Sequence, residues 1–526
     1  MTKPLTRLLQ GAGFSVGALG VGIAFGLVLT PYMLATLGDA AYGVYALASL
    51  FAGWCGLLDF GLTTTTSRYV TRFYTQGDLR GVNEIGATAI ILFGGISALV
   101  LLLACGAFLV ARFFGAHFDE TGLLAGALFF AGAAFAVSKI SDGLCGVIKG
   151  TLRQELTGGT VFVFRILFGL VNFAVLYFGG RVIALFVGNL ALTVVQLLVY
   201  AVLVRRAAPF FRFSFRNFRK GRVRTLFNYS FFAFLSQAGE LAVNRSDLIV
   251  IAALMSAPDV ARYNLVVVTL MSYFNSFLYE ASNWETNWFA KLTARETAED
   301  GPREGSAAPP ASFGPEFYRS RAAINRASIY LAAFMAFGLL AFGRPFIARW
   351  IGPEYLDAFP ALALCAAAAG LYRGSAETNA RMLQGVARHR ILAWAAIAHG
   401  VLNVLLSVLF VKLGLGLTGV ALGTVLPGVA IHYFWTPNAA CRLVGEKRRV
   451  YWSRQIRTTL VAAAALALPA GLAWKFAAPS YPVLAALAAA SAAFYAAFVY
   501  RAGLDSNERA WIQKTLREKF NRIKSE

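Results

Sequence analysis

The sequence predicts an all-α, polytopic membrane protein. About fourteen transmembrane helices are expected, as two six-helix lobes related by a parallel repeat and followed by two C-terminal helices. Three observations carry this reading. Apolar residues make up 58% of the 526-residue chain and charged residues only 14%, at a mean hydropathy of +0.62, whereas a soluble domain carries about 25% charged residues. The apolar residues fall in runs of about 20 or more between short polar breaks. Lysine and arginine concentrate in alternate breaks, as they do on the inner face of a membrane.

The spans follow in order. The first lobe (1–204) holds apolar runs at 12–36, 41–64, 86–111, 121–148, 157–178 and 182–204. A basic linker (205–225) leads to the second lobe (226–440), with runs at 226–254, 260–290, 322–343, 359–380, 391–411 and 416–438. Runs at 458–474 and 481–500 form an appended pair within 441–502. Each run suffices for a hydrocarbon core about 30 Å thick at about 1.5 Å per residue. The first is too long for a signal peptide and lacks a clear small-residue cleavage site, so it is expected to remain as a span.

With the N-terminus inside, inner segments hold 36 of the 48 Lys and Arg, outer segments hold 6, and 6 lie within spans. This bias places both termini in the cytoplasm. It also accounts for a net charge of +22 and a pI near 10.0 without nucleic acid. Anionic inner-leaflet lipid is the expected counter-charge. Residues 205–224 carry eight basic and no acidic residues, interleaved with Phe. Residues 291–317, rich in Ala, Gly, Pro, Ser and Glu, read as a flexible insertion. The tail (503–526) reads as an amphipathic helix with Trp511, Leu516 and Phe520 on one face, lying on the membrane surface or packed on the protein. Cys55, Cys105, Cys145, Cys365 and Cys441 show no metal-ligand spacing and read as buried thiols.

Features recur along the chain. Asp39-Ala-Ala-Tyr42-Gly43 has a counterpart in Asp259 through Tyr263-Asn264, and Lys149-Gly150 through Arg153 in Gln384-Gly385 through Arg388. Asn172 before Gly179-Gly180 pairs with Asn403 before Gly414. The offsets are 220, 235 and 231 residues, and the insertion falls between the first and the others. Six spans separate the copies, so the repeat is parallel.

An ionisable group inside a span costs roughly 2.5–3.5 kcal/mol on insertion scales, so each needs a partner, a cavity or an interface. Arg262 and Arg326 lie near helix ends and are expected to snorkel. Lys139 with Asp142 (i,i+3) and Arg373 with Glu377 (i,i+4) share helix faces and can neutralise one another, or serve a cavity. Arg165 has no acid within four residues and calls for another partner or an anionic ligand. Glu240, Asn244 and Asp247 form one stripe at i, i+4 and i+7, suited to a cation or a proton relay, or else to a polar contact with a neighbouring helix. Arg245 points about 140° away from Glu240. Glu280 and Glu285 are expected where water reaches them, and Asp59 at an interface. His117, His389, His399 and His432 have no nucleophile or metal partner at a diagnostic spacing, and no Walker A motif is present, so an enzyme is not expected.

Several local signatures carry a family resemblance. They are Pro31 through Gly38-Asp39-Ala-Ala-Tyr42-Gly43-Val-Tyr45, Asp59-Phe60-Gly61 with Ser67-Arg68-Tyr69, and Arg245-Ser-Asp247 running on to Tyr263-Asn264. Pro345 through Trp350-Ile351-Gly352 and Tyr355, and Asn403 through Gly414, Gly419 and Gly423, complete the set. Over nearly its whole length the chain resembles the polysaccharide flippases of the MOP superfamily, which are distant from the multidrug-extruding MATE transporters. The resemblance implies translocation of a polyprenyl-diphosphate-linked oligosaccharide by alternating access, in a bacterial inner membrane. Lys139, Arg165, Arg245 and Arg373 would then receive the diphosphate, and Asp247, Glu240 and Asn244 a coupling Na⁺ or H⁺. No other cofactor is expected. A polysaccharide polymerase or the synthesis machinery is an expected partner. The alternatives are a MATE-like multidrug or cation antiporter, a membrane-bound transferase, and a non-transporting scaffold for a polysaccharide synthase.

Overall fold

The structure, a computed structural model, describes all residues except 1–2, 60–61, 107–120, 152, 224–225, 227–238, 240–242, 244, 283–284, 287, 290–291, 294–312, 387, 389, 477–479, 507, 511–512 and 514–526. Most of the 291–317 insertion and nearly all of the tail face, including Trp511, Leu516 and Phe520, thus lie outside the described residues.

Among the described residues all regular structure is helical. In order these are α1 (Lys3–Cys55), α2 (Leu62–Thr75), α3 (Leu79–Cys105), α4 (Thr121–Gly150), α5 (Gln154–Tyr177) and α6 (Val182–Ala207). There follow α7 (Ala257–Tyr263), α8 (Thr269–Ser282), α9 (Pro315–Trp350), α10 (Phe359–Gly385) and α11 (Arg390–Lys412). The chain closes with α12 (Gly416–Gly428), α13 (Thr436–Val444), α14 (Arg448–Phe476) and α15 (Tyr481–Phe498). A non-helical Gly38 kinks α1 and separates the first two predicted spans. Wide π-turns join α7 to α8 at Asn264–Val268 and α12 to α13 at Val429–Trp435.

Eleven described helices are long and apolar enough to cross a membrane, and they coincide with eleven of the predicted spans. At the other three positions stand the shorter apolar helix Ala40–Phe51, helical residues 245–254, and the α7–π–α8 run. The second span is cut short where the apolar run meets Asp59 and a string of threonines, which form a 3₁₀ turn and the polar α2 instead.

The chain forms two compact units, Met1–Leu265 with Ala396–Val404, and Val266–Ala395 with Leu405–Glu526. In the first, α4 packs against α1, α2, α3 and α6, and α1 lies along α5. Val44, Ala48, Leu124, Leu128, Ala131 and Phe186 form one of its cores. In the second, α10 packs on α9, α8 and α12. The appended pair α14 and α15 packs on α9 through Tyr330, Ala462, Ala465 and Tyr495. Cys55, Cys145, Cys365 and Cys441 are buried; Cys105, expected buried, is exposed at the end of α3.

Backbone hydrogen bonds support the repeat. At the end of α4, Thr151 N donates to Val147 O (3.1 Å), Arg153 N to Ile148 O (3.4 Å) and Leu156 N to Arg153 O (3.2 Å). At the end of α10 the same three bonds run from Val386 to Met382, Arg388 to Leu383 and Ile391 to Arg388, each atom 235 residues further on. The ends of α5 and α11 also match. Gly180 N donates to Val175 O and Gly179 N to Leu176 O, as Leu415 N does to Phe410 O and Gly414 N to Val411 O. This is the Schellman closure, which places a left-handed residue after the helix, and Gly179 and Gly414 supply φ of +78° and +83°. The offset is again 235 residues. The pairing of Asn172 with Asn403 is therefore one helical turn out: the counterpart of Asn172 is Ser407. A four-residue slip keeps a side chain on nearly the same helix face, which is why the sequence pattern tolerated it.

Candidate functional site

Lys139, in the middle of α4, is only 7% exposed. Its Nζ lies 2.6 Å from Asp142 Oδ2 and 3.9 Å from Asp59 Oδ1, and 4.8 Å from the centre of the Phe135 ring. The i,i+3 pair forms as the spacing predicts, and Asp59, expected at an interface, joins it as a second anion. One ammonium thus faces two carboxylates.

By the 235-residue offset the counterpart of Asp142 is Glu377. Its predicted partner was Arg373, four residues before it, but the structure corrects this. Glu377 Oε1 accepts instead from Arg381, four residues after it, at 2.6 Å, and from Ser282 Oγ at 3.2 Å. Arg373 Nε donates to Asn275 Oδ1 at 3.0 Å. An acid N-terminal to its base is the better order on a helix, because both side chains then follow the macrodipole. The Arg381 guanidinium also lies over the Tyr279 ring, 4.2 Å from its centre. Glu285, expected in reach of water, is buried and accepts from Ser328 Oγ at 3.4 Å.

Two further in-span cations have acidic partners. Arg326, expected near a helix end without a partner, binds Asp505 (2.9 Å) and Glu508 (2.7 Å), which lie just beyond α15. Arg262 reaches Asp259 at 3.7 Å on its own short helix. Arg321, assigned from sequence to a loop, is buried in α9 between Glu446 and the Asn379 amide, with the Tyr451 ring beneath it. Sequence reading missed it because its acid lies 125 residues away.

Arg165 and Arg245 stand apart. Among the described residues neither has an acidic partner, whereas the other in-span cations each have an acid or an amide. Arg165 is exposed on α5, and its Nε lies 3.3 Å from where a Cβ on Gly22 would sit. That glycine in α1 leaves room for the guanidinium. Arg245 is partly exposed in the helical stretch before Asp247.

Asp247 is 6% exposed and heads a polar cluster. Its Oδ2 accepts from the Tyr263 hydroxyl at 2.9 Å and its Oδ1 from Asn403 Nδ2 at 3.0 Å. Asn403 also reaches Ser246 Oγ (3.3 Å) and the Val243 carbonyl (3.2 Å). Glu240 and Asn244 lie outside the described residues, as do His117 and His389. His432 stacks on Tyr372 and His399 is buried. Among the described residues no three His, Cys, Asp or Glu converge as a metal site.

Comparison with known proteins adds to this geometry. A model of the family described as polysaccharide biosynthesis protein matches residues 8–281, just over half of the chain. The probable flippase AglR of Haloferax volcanii is 26% identical over 192 residues, covering 36% of this chain and 38% of that relative. The chain thus spans well under half the length of the curated relative it matches. A multidrug-resistance MATE family transporter of the MOP superfamily, in an inward-facing conformation, superposes with a TM-score of 0.64 at 15% identity, over 84% of this chain and 99% of that one. The lipid II flippase MurJ, in an inward closed conformation, gives 0.55 at 14% identity, over 93% and 98%. The fold is therefore MATE-like.

Proposed function

The chain belongs to the polysaccharide biosynthesis protein family, and from that premise we propose that it is a flippase for an oligosaccharide carried on a polyprenyl diphosphate. It would work in a bacterial inner membrane with both termini in the cytoplasm, in the service of cell-surface polysaccharide synthesis. The observation that carries this reading is Arg165, in a helix long and apolar enough to cross a membrane, together with Arg245, in a run the sequence predicts to span, neither with an acid among the described residues. Such cations are costly in hydrocarbon, and a visiting anion offsets that cost. A guanidinium presents a planar fork of donors that matches phosphate oxygens. Lys139 and Arg373 are already engaged with protein groups, so they would reach a diphosphate only by exchanging partners.

Coupling rests on Asp247. It is a buried carboxylate held in place by the Tyr263 hydroxyl and the Asn403 amide, and an ionisable group at such a depth is a candidate ion or proton site. Na⁺ or H⁺ bound there would shift the balance between inward- and outward-open forms in proportion to its differential affinity. No bond is made or broken in this cycle, so the chain would not act as an enzyme. A cation exporter would need free acids. Asp59, Asp142 and Glu377 each lie beside a cation here, which weighs against a cation cargo bound at those three acids.

The test is to delete the gene and identify the lipid-linked oligosaccharide that accumulates at the inner face. Complementation by the wild type, but not by an Arg165→Gln/Arg245→Gln double variant, is expected. Intact surface glycan without accumulation would overturn the reading.

A further inference from the structure

The basic stretch that follows α6 is not a loose connector. Ala208 is fully buried, and Phe210 and Phe211 pack into the core formed by Leu62, Val70, Val82, Ile85 and Phe93. Asn83 of α3 clamps the segment at two points. Its Nδ2 donates to the Phe210 carbonyl at 3.2 Å, and its Oδ1 accepts from Arg212 N at 2.7 Å. Farther along, Arg219 N donates to Thr88 Oγ1 at 3.3 Å, and Arg219 and Arg222 both bind Glu84. Residues 208–223 therefore form a strap fixed along the start of α3.

The pinning uses two of the cations and two of the phenylalanines. Most of the others face outward. Arg212, Arg216 and Lys220 are exposed, and among the described residues none has an acidic partner. Between them Phe213 and Phe215 meet edge to face at 5.3 Å, and Phe215 is 75% exposed. Two large aromatic rings held out beside three unpaired cations are unfavourable in water alone. Their place matters: α6 is a membrane-crossing helix ending at Ala207, with Arg205 and Arg206 in its last turn, and the ring pair follows within eight residues. This is the depth at which rings enter the headgroup boundary while cations meet phosphates.

We propose that the outer face of this strap is a binding surface for the phosphodiester headgroups of anionic phospholipid in the adjacent leaflet. The cations hold the phosphates, and Phe213 and Phe215 bury into the boundary below them. The strap thereby fixes one end of α6 and α3 against the bilayer. This inference stands on its own geometry and does not depend on what the protein carries.

The experiment uses the full chain in phosphatidylcholine nanodiscs titrated with short-chain phosphatidylglycerol, with bound lipid counted by native mass spectrometry. Each cation near an anionic surface is worth about a fivefold change in affinity, so Arg212→Gln/Arg216→Gln/Lys220→Gln should weaken phosphatidylglycerol binding roughly a hundredfold. Phe213→Ser/Phe215→Ser should weaken it with all charges kept. The control is Lys447→Gln/Arg448→Gln/Arg449→Gln, which removes the same charge from another exposed basic segment and should leave this binding in place. Equal loss in the control, unchanged binding in both strap variants, or displacement by inorganic phosphate at the same concentration as phosphatidylglycerol would each overturn the proposal.

Discussion

Arg165 offers the sharpest separation of function from folding. Replacing it with Gln removes a charge that has no acid to strand among the described residues. The variant should therefore unfold at the same temperature as the wild type or slightly higher, because the cost of a cation in hydrocarbon disappears. If the guanidinium binds a phosphate in transit, the lost hydrogen bond to a charged group is worth about 1.5–3 kcal/mol, roughly a 10- to 150-fold fall in transport efficiency. Lys139→Met supplies the contrast. It leaves Asp142 and Asp59 unneutralised, with side chains 36% and 14% exposed. Breaking a buried pair costs about 3–5 kcal/mol, and the partial exposure of Asp142 places this one near the lower end. Arg165→Gln should thus lose transport and keep stability, while Lys139→Met loses both. Flipping of a fluorescent polyprenyl-diphosphate sugar in proteoliposomes and thermal unfolding in detergent read the two quantities. Undiminished flipping in Arg165→Gln, or a drop in its unfolding temperature as large as that of Lys139→Met, would refute the reasoning.

Other outcomes follow from the same geometry. Asp247→Asn keeps a carbonyl oxygen for Asn403 Nδ2 and turns an amide N–H to the Tyr263 hydroxyl, which can accept it, while the charge is discarded; transport should lose its dependence on a Na⁺ or H⁺ gradient while the unfolding temperature shifts little, and retained gradient dependence would exclude Asp247 as the coupling site. Glu377→Leu strands Arg381, which is 6% exposed, and should cost about 3 kcal/mol or more; Glu377→Leu/Arg381→Leu should recover much of that, as read by chemical denaturation of the purified chain. Gly179→Val and Gly414→Val each force a branched residue into a left-handed turn at about 1–2 kcal/mol, and the two losses should agree closely because the turns are the same motif.

The fold was legible because the membrane imposes it. A span must bury its own backbone hydrogen bonds and stay apolar for its whole length, and both demands leave long marks in the sequence. Two positions read less well, for a physical reason. Around Asp59 and Thr63 the apolar run turns polar before a full span is complete, and at Asn264–Val268 a π-turn breaks the helical period. Pairings within one helix were partly legible: Lys139–Asp142 was found, whereas Arg373–Glu377 gave way to Glu377–Arg381. Sequence spacing permits both neighbours of Glu377, and only the packing of α8, which brings Asn275 to Arg373 and Ser282 to Glu377, decides between them. Pairings between distant helices were not legible at all. Arg321 with Glu446, Arg326 with Glu508, and Asp247 with Asn403 join residues that no local pattern connects.

The repeat shows what kind of divergence the fold permits. Asp142 and Glu377 stand at equivalent places on α4 and α10, ahead of C-terminal ends whose hydrogen bonds match bond for bond. Both need a cation, but the solution differs. In one copy it lies three residues before the acid, in the other four residues after, and each draws on a different neighbour: Asp59 for Lys139, and the Tyr279 ring for Arg381. A carboxylate kept in both copies while its counter-ion moves is what a structural demand for neutrality produces, since either side of the helix satisfies it. Arg165 follows the opposite logic. Its equivalent under the same offset is Gly400, so the second copy carries no cation there at all. A buried ion pair serves the fold wherever the cation comes from, whereas a lone arginine in one copy only serves no packing requirement that the other copy shares. The asymmetry between the copies thus singles out Arg165 by a route independent of its missing partner.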